Sequence, residues 1–186
     1  MTIKRVSLLL LATLAIPVSA SRVDDDKPTL HVVYVAASTC GICKTENIKS
    51  AVSRVREVVA GWAAKNGMNF VATGIAADVD VQAGLALLRD GKETIPYDQV
   101  IIGGGMFFNE GMVAYVVGSR GQEHFLNDFP DLALPQLLVL YEERHIENDR
   151  LRVDRRFVVM HGLSSMLERM PGAIENALDA RSWRAN

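Results

Sequence analysis

The chain has 186 residues, of which 49% are hydrophobic and 23% are charged, and its formal net charge is −2. This length suits one domain that buries its own core, and the near-neutral charge leaves no basic excess for a nucleic-acid partner. Only two cysteines occur, both in the tetrapeptide Cys40-Gly41-Ile42-Cys43, so a scaffold of several disulfides is excluded.

The first twenty residues have the three-part pattern of a secretory signal peptide. A positively charged start precedes an apolar run over residues 6–16, and small residues stand before a cleavage point after Ala20. The apolar run is too short to cross about 30 Å of hydrocarbon, although an uncleaved anchor is the alternative. We therefore expect residues 1–20 to be removed, residues 21–29 to form an acidic leader, and the mature protein to be periplasmic or secreted without a membrane span.

The predicted elements follow in the order β, α, β, α, irregular insertion, β-hairpin, α. Continuous apolar runs predict strands, and apolar steps of three and four predict helices. The predicted strands cover 30–36, 70–76, 100–102, 136–141 and 153–161, with a polar turn over 142–150; the predicted helices cover 44–65, 78–90, a short stretch capped by Asn109 and ending near 117, and 165–180, interrupted at Pro171. A βαβ half followed by a ββα half predicts an α/β fold with a mixed sheet and helices on both faces.

The two cysteines lie where a predicted strand meets a predicted helix. The N-terminus of a helix favours a thiolate, which is the reactive form of cysteine. Cys40, at the turn, is therefore the candidate nucleophile, and Cys43, one turn inside the predicted helix, is the candidate resolving thiol. A Cys40–Cys43 disulfide would close so small a ring that it restrains little of the unfolded chain. A reversible redox pair is therefore a better interpretation than a disulfide that stabilises the fold.

Two other uses of the cysteines stay open. One is a non-catalytic binding module with a structural Cys40–Cys43 disulfide, and the other is Cu(I) binding for metal delivery, for which two thiolates suffice. A structural zinc site needs four ligands, and the four histidines are scattered without ligand spacing. Lys44 follows Cys43 and so excludes the Cys-x-x-Cys-His pattern of haem attachment.

A resemblance to the thioredoxin-like family rests on three features. These are the strand that ends in Cys-x-x-Cys, the amphipathic helix after it, and Leu134-Pro135 at the head of a strand and hairpin; together they span residues 30–180. The resemblance implies an exported thiol–disulfide oxidoreductase whose redox-active disulfide stands in place of a cofactor. It also implies protein thiols and disulfides as substrates, together with a redox partner protein.

The resemblance further assigns a position to Pro135. The family carries a cis-proline that faces the two active-site cysteines, at the start of the strand where the second half begins, and Pro135 matches that place. Proline is tolerated at the first residue of a strand, although an ordinary trans loop proline is the alternative. On this basis Cys40 and Cys43 are the catalytic residues, and Thr39, Leu134 and Pro135 line the substrate groove.

Three positions depart from the pattern of thioredoxins proper. Thr39 stands where they have tryptophan, Gly41-Ile42 where they have Gly-Pro, and Tyr34 where their first strand buries a carboxylate. The dipeptide between the cysteines strongly tunes the redox potential of such proteins. Neither the potential nor the direction of exchange therefore follows from the sequence.

The stretch before the second half is longer than the single crossover helix of the family. It predicts an insertion over about 92–133 with its own helix. Within it, Gly103–Phe108 has three consecutive glycines, a methionine and two phenylalanines. We favour a tight turn with Phe107 and Phe108 in the core over an apolar loop that docks a polypeptide. Residues 181–186 are expected to form a C-terminal tail, and no oligomeric state follows from the sequence.

Overall fold

The computed structural model describes residues 26–89, 95–117, 134–162 and 170–181. Outside these ranges fall the predicted signal peptide with its cleavage point, most of the acidic leader, the end of the insertion, the start of the last predicted helix, and all but the first residue of the C-terminal tail. No helix in the described part of the chain has the length and apolar character needed to cross a membrane.

A five-stranded mixed sheet forms the centre of the molecule. Its strands are β1 (Thr29–Ala36), β2 (Asn69–Ala76), β3 (Gln99–Ile102), β4 (Gln136–Glu147) and β5 (Arg150–Gly162). They lie in the order β3-β2-β1-β4-β5. β1 pairs in parallel with β2 and antiparallel with β4, β3 extends the sheet in parallel beside β2, and β4 and β5 form a hairpin. Because β1 is central, all of its residues are buried, as its continuous apolar sequence predicts.

Helices cover both faces of the sheet. They are α1 (Glu46–Lys65), α2 (Val81–Leu88), the single turn α3 (Gly105–Phe108), a π-helical segment (Met112–Val117) and α4 (Met170–Ala180). α1, α2 and α4 pack on the first face, where Val55, Leu87 and Ile174 share one core with alternate residues of β1. The π-helical segment packs on the second face against Val33.

The two halves predicted from the sequence are present. β1-α1-β2 forms the first half and β4-β5-α4 the second, and they share one mixed sheet with β1 and β4 side by side. This arrangement confirms the predicted thioredoxin-like fold class. α2 and β3 add a further helix and a short edge strand to the first half.

The start of α1 differs from the prediction. The helix predicted over 44–65 begins at Glu46, because Thr45 is extended and separates it from a 3₁₀ turn over Ile42–Lys44. The Thr45 backbone N–H and hydroxyl both donate to the Ile42 carbonyl, at 3.1 and 2.9 Å, and this closes the turn before the helix starts. Cys43 was predicted to lie one turn inside the helix. It lies instead in the 3₁₀ turn that precedes α1.

α2 is shorter than the helix predicted over 78–90. It begins at Val81, because the Asp80 carboxylate accepts hydrogen bonds from the backbone N–H groups of Gln82 and Ala83 and caps the helix. Residue 90 lies outside the described ranges. Asp78, which the prediction placed in the helix, precedes it.

The β4–β5 hairpin is longer than predicted. The polar turn expected over 142–150 is reduced to Asn148 and Asp149, both at positive φ, and the strands continue to Glu147 and from Arg150. The prediction was wrong here because Arg152 pairs with Glu147 and Arg155 with Glu142 across the two strands, and such pairs stabilise a ribbon without apolar alternation.

The three glycines 103–105 form the predicted tight turn. All three have positive φ (102°, 72° and 61°), and a Cβ on Gly104 would lie 2.5 Å from the Phe108 carbonyl oxygen. Only glycine fits this backbone. Phe108 is 84% exposed, so its predicted place in the core was wrong; the side chain of Phe107 lies outside the described part of the structure.

Candidate active site

Cys40 and Cys43 form a disulfide just beyond the carboxyl end of β1, with their Cα atoms 5.4 Å apart. The two sulfur-bearing residues differ in exposure. Cys40 is half-buried, whereas Cys43 is only 1% exposed and belongs to the core of the first face. An attacking thiolate in solution therefore reaches the sulfur of Cys40 first.

The surroundings of Cys40 favour a negative charge on its sulfur. The backbone N–H of Cys43 donates to Cys40 Sγ at 3.3 Å, and such a bond stabilises a thiolate once the disulfide opens. The backbone N–H of Cys40 donates to the Ala37 carbonyl at 3.0 Å and fixes the turn. Because α1 starts only at Glu46, this favourable contact comes from one amide of the 3₁₀ turn and not from the first turn of α1.

The second half of the fold meets the disulfide at Leu134 and Pro135. Their peptide bond is cis, and the Leu134 carbonyl oxygen lies 3.6 Å from Cys40 Sγ. Pro135 is buried, and Thr39 is exposed beside Cys40. The structure thus brings together Cys40, Cys43, Leu134 and Pro135, and it places Thr39 on the outer surface of the same loop.

Asp78, which sequence reasoning missed, holds the cysteine loop in place. Its carboxylate accepts hydrogen bonds from the backbone N–H of Ser38, at 2.9 and 3.0 Å, and from the Ser38 hydroxyl. The Asp78 carbonyl accepts from the Gly105 N–H at 3.3 Å. Asp78 is 6% exposed and ties together the loops that follow β1, β2 and β3. A carboxylate directly after an apolar strand is the one signal in the sequence that could have pointed to this role.

Two tyrosines lie behind the buried cysteine. The Tyr34 hydroxyl donates to the Cys43 carbonyl at 3.3 Å, and the Tyr34 ring stacks on Tyr97 with centroids 6.5 Å apart and planes at 7°. Burial raises the pKa of Tyr34, and it raises the pKa of Tyr97 to about 12 against the opposing effect of Arg56. Both phenols are therefore neutral at physiological pH, and neither serves as a base for the cysteines.

A groove of about 370 Å³ adjoins the cysteine loop. Ser38 lines it from the loop after β1, Lys44 from the 3₁₀ turn, Lys49 from α1, and Ala83 and Leu87 from α2. Within the described ranges, no three or more His, Cys, Asp or Glu side chains come together in a way that could hold a metal ion.

Comparisons with known proteins give one structural likeness. No family model matches the chain, and no curated protein matches it. Among solved structures, the chain is similar to a thiol-disulfide oxidoreductase from Bacteroides fragilis NCTC 9343, with 16% sequence identity, a TM-score of 0.40 and 80% of each chain covered. The description of the site therefore rests on the geometry of this chain.

That geometry combines a Cys-x-x-Cys disulfide with a thioredoxin-like fold. Cys40 is half-buried, Cys43 is buried, and a backbone amide stabilises charge on the Cys40 sulfur. Such an arrangement supports a redox role for the cysteine pair, because exchange needs one sulfur that meets the substrate and a second that closes the ring.

Proposed function

We propose that the protein is an exported thiol–disulfide oxidoreductase that acts on protein thiols and disulfides through Cys40 and Cys43. The observation that carries this proposal is the unequal exposure of the two bonded cysteines. Cys40 is half-buried beside the cis peptide of Leu134–Pro135, and Cys43 is 1% exposed. A purely structural disulfide has no need of such a difference.

The Cys40–Cys43 pair can either reduce a substrate disulfide or oxidise substrate thiols. When the pair is reduced, the Cys40 thiolate attacks a substrate disulfide and forms a mixed disulfide, which Cys43 resolves as the substrate thiolate leaves. When the pair is oxidised, a substrate thiolate attacks Cys40 Sγ and Cys43 leaves as the thiolate. A redox partner protein with its own thiols or disulfide returns the pair to its starting state.

The substrate is proposed to lie across Thr39, Leu134 and Pro135. The backbone of Leu134 and Pro135 is not paired in the sheet, because β4 begins only at Gln136. Ile42, between the cysteines, is 38% exposed and adds an apolar contact. An extended polypeptide in this place would present its own sulfur to Cys40.

Substitution of the cysteines tests the proposal. In an insulin-reduction assay with dithiothreitol, Cys40→Ser is expected to lower the rate to the uncatalysed background, since the accessible nucleophile is lost. Cys43→Ser is expected to accumulate a Cys40–substrate mixed disulfide, which non-reducing electrophoresis detects. Ser50→Ala, on the exposed side of α1, is the matched control and is expected to keep the wild-type rate.

Retention of the full rate by Cys40→Ser would contradict the proposal. Anaerobic titration with Cu(I) then separates the two remaining functions. Binding by the reduced protein that is tighter than binding by a small dithiol supports metal delivery. No such binding, together with a disulfide that does not exchange with glutathione, supports a binding module with a structural disulfide.

Export is proposed from the N-terminal sequence. A signal peptide that ends at Ala20 places the mature protein in an oxidising compartment, where a disulfide persists. Expression of the whole chain with its leader in a bacterial host is expected to give a mature protein that begins at Ser21, measured by N-terminal sequencing of the periplasmic fraction. Recovery of only the uncleaved chain in the membrane fraction would identify an anchor instead.

A further inference from the structure

A basic cavity lies behind the disulfide, on the side of Cys43. Its volume is about 110 Å³, which is room for a few water molecules. Cys43 lines it together with the basic side chains of Lys49, Arg56 and Arg89. Of the described residues that line the cavity, none is acidic. A negative charge that forms on Cys43 therefore faces cations.

The position of Arg56 in this cavity is fixed by packing. Its guanidinium lies over the Tyr97 ring, 5.2 Å from the centroid, and its Nε is buried without a hydrogen-bond partner among the described residues. Tyr97 in turn needs Gly74, because a Cβ there would lie 2.8 Å from the tyrosine ring. Arg56 thus reaches the cavity with a donor and a charge that no described carboxylate neutralises.

The other charged groups around the cysteine loop do not cancel the positive charge of the cavity lining. Lys49 Nζ lies 3.5 Å from Glu46, whose side chain is 87% exposed, so water screens that carboxylate strongly. Asp78 binds Ser38 and is not among the residues that line the cavity. Tyr34, which borders the cavity, is neutral. A buried carboxylate at the position of Tyr34 would disfavour a thiolate, whereas this lining favours it.

We propose that Arg56, assisted by Lys49, stabilises the Cys43 thiolate and so makes the protein a donor of disulfides to substrate dithiols. The proposal rests on the proposed function and gives it a direction. Arg56 is a positioning residue in this scheme, since it acts on the substrate only through Cys43.

The reaction begins from the disulfide form seen in the structure. A substrate thiolate attacks Cys40 Sγ, a substrate–Cys40 bond forms, the Cys40–Cys43 bond breaks, and Cys43 takes the electron pair as a thiolate in the cavity. The second substrate thiol, after losing its proton to water, attacks the substrate sulfur of the mixed disulfide and releases Cys40. The substrate loses two electrons and two protons and gains a disulfide, and the protein gains the two electrons; a disulfide of a partner protein re-oxidises it. A leaving thiol of low pKa leaves faster, so the cavity accelerates the opening step.

Equilibration of the full chain with glutathione tests the proposal. Arg56→Met is expected to make the protein a weaker oxidant of glutathione by about tenfold near neutral pH, because one nearby charge is lost; a tenfold change corresponds to about 30 mV for a two-electron couple. Lys49→Met is expected to shift the equilibrium in the same direction by less. Arg56→Lys keeps the charge and is expected to restore most of the oxidising strength.

Arg54→Met is the matched control, because Arg54 is exposed on α1 and does not line the cavity. It removes the same charge and is expected to leave the equilibrium within a factor of two. An equal shift in Arg54→Met and Arg56→Met, or no shift in either of the cavity variants, overturns the proposal. Failure of the wild-type disulfide to exchange with glutathione at all overturns the proposed function instead.

A second measurement does not depend on turnover. In a Cys40→Ser background, the ultraviolet absorbance of the thiolate reports ionisation of Cys43 directly. Adding Arg56→Met is expected to raise the pKa of the Cys43 thiol and to leave the near-ultraviolet circular dichroism unchanged. An unchanged pKa in a folded Arg56→Met variant contradicts the role of Arg56, and the Lys49→Met variant answers the same question if Arg56→Met does not fold.

Discussion

At the scale of single residues, burial strongly perturbs the titration of His31, a side chain of the described structure that lies away from the disulfide. It lies on β1, buried at 4% exposure, and its Nε2 is 3.5 Å from Glu142 Oε2 without a hydrogen-bond partner for either ring nitrogen in the described structure. Glu142 is bound by Arg144 and Arg155, at 2.8 and 2.7 Å. Burial lowers the pKa of His31 from 6.5 to about 4, and it outweighs the attraction of Glu142.

This burial predicts a loss of stability in mild acid. The unfolded chain binds a proton on His31 near pH 6.5, whereas the folded protein binds it only near pH 4. The free energy of unfolding is therefore expected to fall as the pH drops through this window, by up to about 3 kcal/mol at about 1.4 kcal/mol per pKa unit. His31→Phe is expected to remove this dependence, measured by urea unfolding at a series of pH values.

His145 provides the control for that experiment. Its side chain is 41% exposed on the hairpin, so His145→Phe is expected to leave the pH dependence of stability as in the wild type. A His31→Phe variant that loses as much stability between pH 6.5 and pH 4 as the wild type contradicts the assignment. The acid sensitivity would then belong to the carboxylates.

Some residues of the site were predicted from the sequence and others were not, and the difference lies in how far apart along the chain their contacts are. Cys40 and Cys43 were predicted from a local pattern at the junction of a strand and a helix, and Pro135 was predicted from the resemblance to the thioredoxin-like family. Asp78 and Tyr97 were not, because their roles come from contacts with Ser38 and Tyr34 that lie far away along the chain. A single sequence has no local pattern for such pairs.

At the scale of elements, one side chain organises the start of the π-helical segment. Asn109 is 2% exposed, and its Oδ1 accepts from the backbone N–H groups of Gly111 and Met112. Its Nδ2 donates to the carbonyls of Ala76 and Gly103, at 3.3 and 2.8 Å. The cap predicted from the sequence is thus present, and it also joins this segment to β2 and to the glycine turn.

Two cap substitutions are expected to differ in cost. Asp80→Ala removes only the exposed cap of α2 and is expected to lower the free energy of unfolding by about 1 kcal/mol. Asn109→Ala removes a cap and also leaves two carbonyls without a donor, so it is expected to cost about 2–3 kcal/mol. Denaturant unfolding of both variants checks the difference. Equal costs would show that the bonds from Nδ2 contribute nothing.

Secondary-structure elements were predicted well where an apolar pattern specifies them and poorly where hydrogen bonds or charge pairs do. β1 and β2 were placed to within one residue because a continuous apolar run is a direct consequence of burial on both faces. The start of α1 was misplaced by two residues because Thr45 closes a separate turn through its own hydroxyl. The extended part of the hairpin was missed because charge pairing between β4 and β5, and not hydrophobicity, specifies it.

At the scale of the whole molecule, β1 separates two different chemistries. The disulfide follows its carboxyl end, and His31 with its charged neighbours lies near its amino end on the opposite face. The five residues of β1 beyond His31 span about 17 Å, so substitutions at the two ends are expected to act independently. The mixed sheet was predicted from the order of elements. The cavity behind Cys43 depends instead on how α1, α2 and the segment before β3 meet, which no sequence pattern specifies.

The outer half of the β4–β5 hairpin extends beyond the rest of the sheet as a two-stranded ribbon. β1 pairs with β4 only as far as Glu142, and the five pairs beyond it, from Glu143 opposite Asp154 to Glu147 opposite Arg150, join β4 and β5 alone. This ribbon extends about 17 Å past the sheet. Its Ile146 and Leu151 are 78% and 66% exposed.

A two-stranded ribbon is marginally stable by itself, and this one hides no core residue. Within the described ranges, it is therefore a part of the chain that can open, accept insertions or be cut by proteases at little cost to the remainder. Changes of sequence there leave the disulfide and its cavity untouched, so the ribbon and the redox site are free to diverge at different rates.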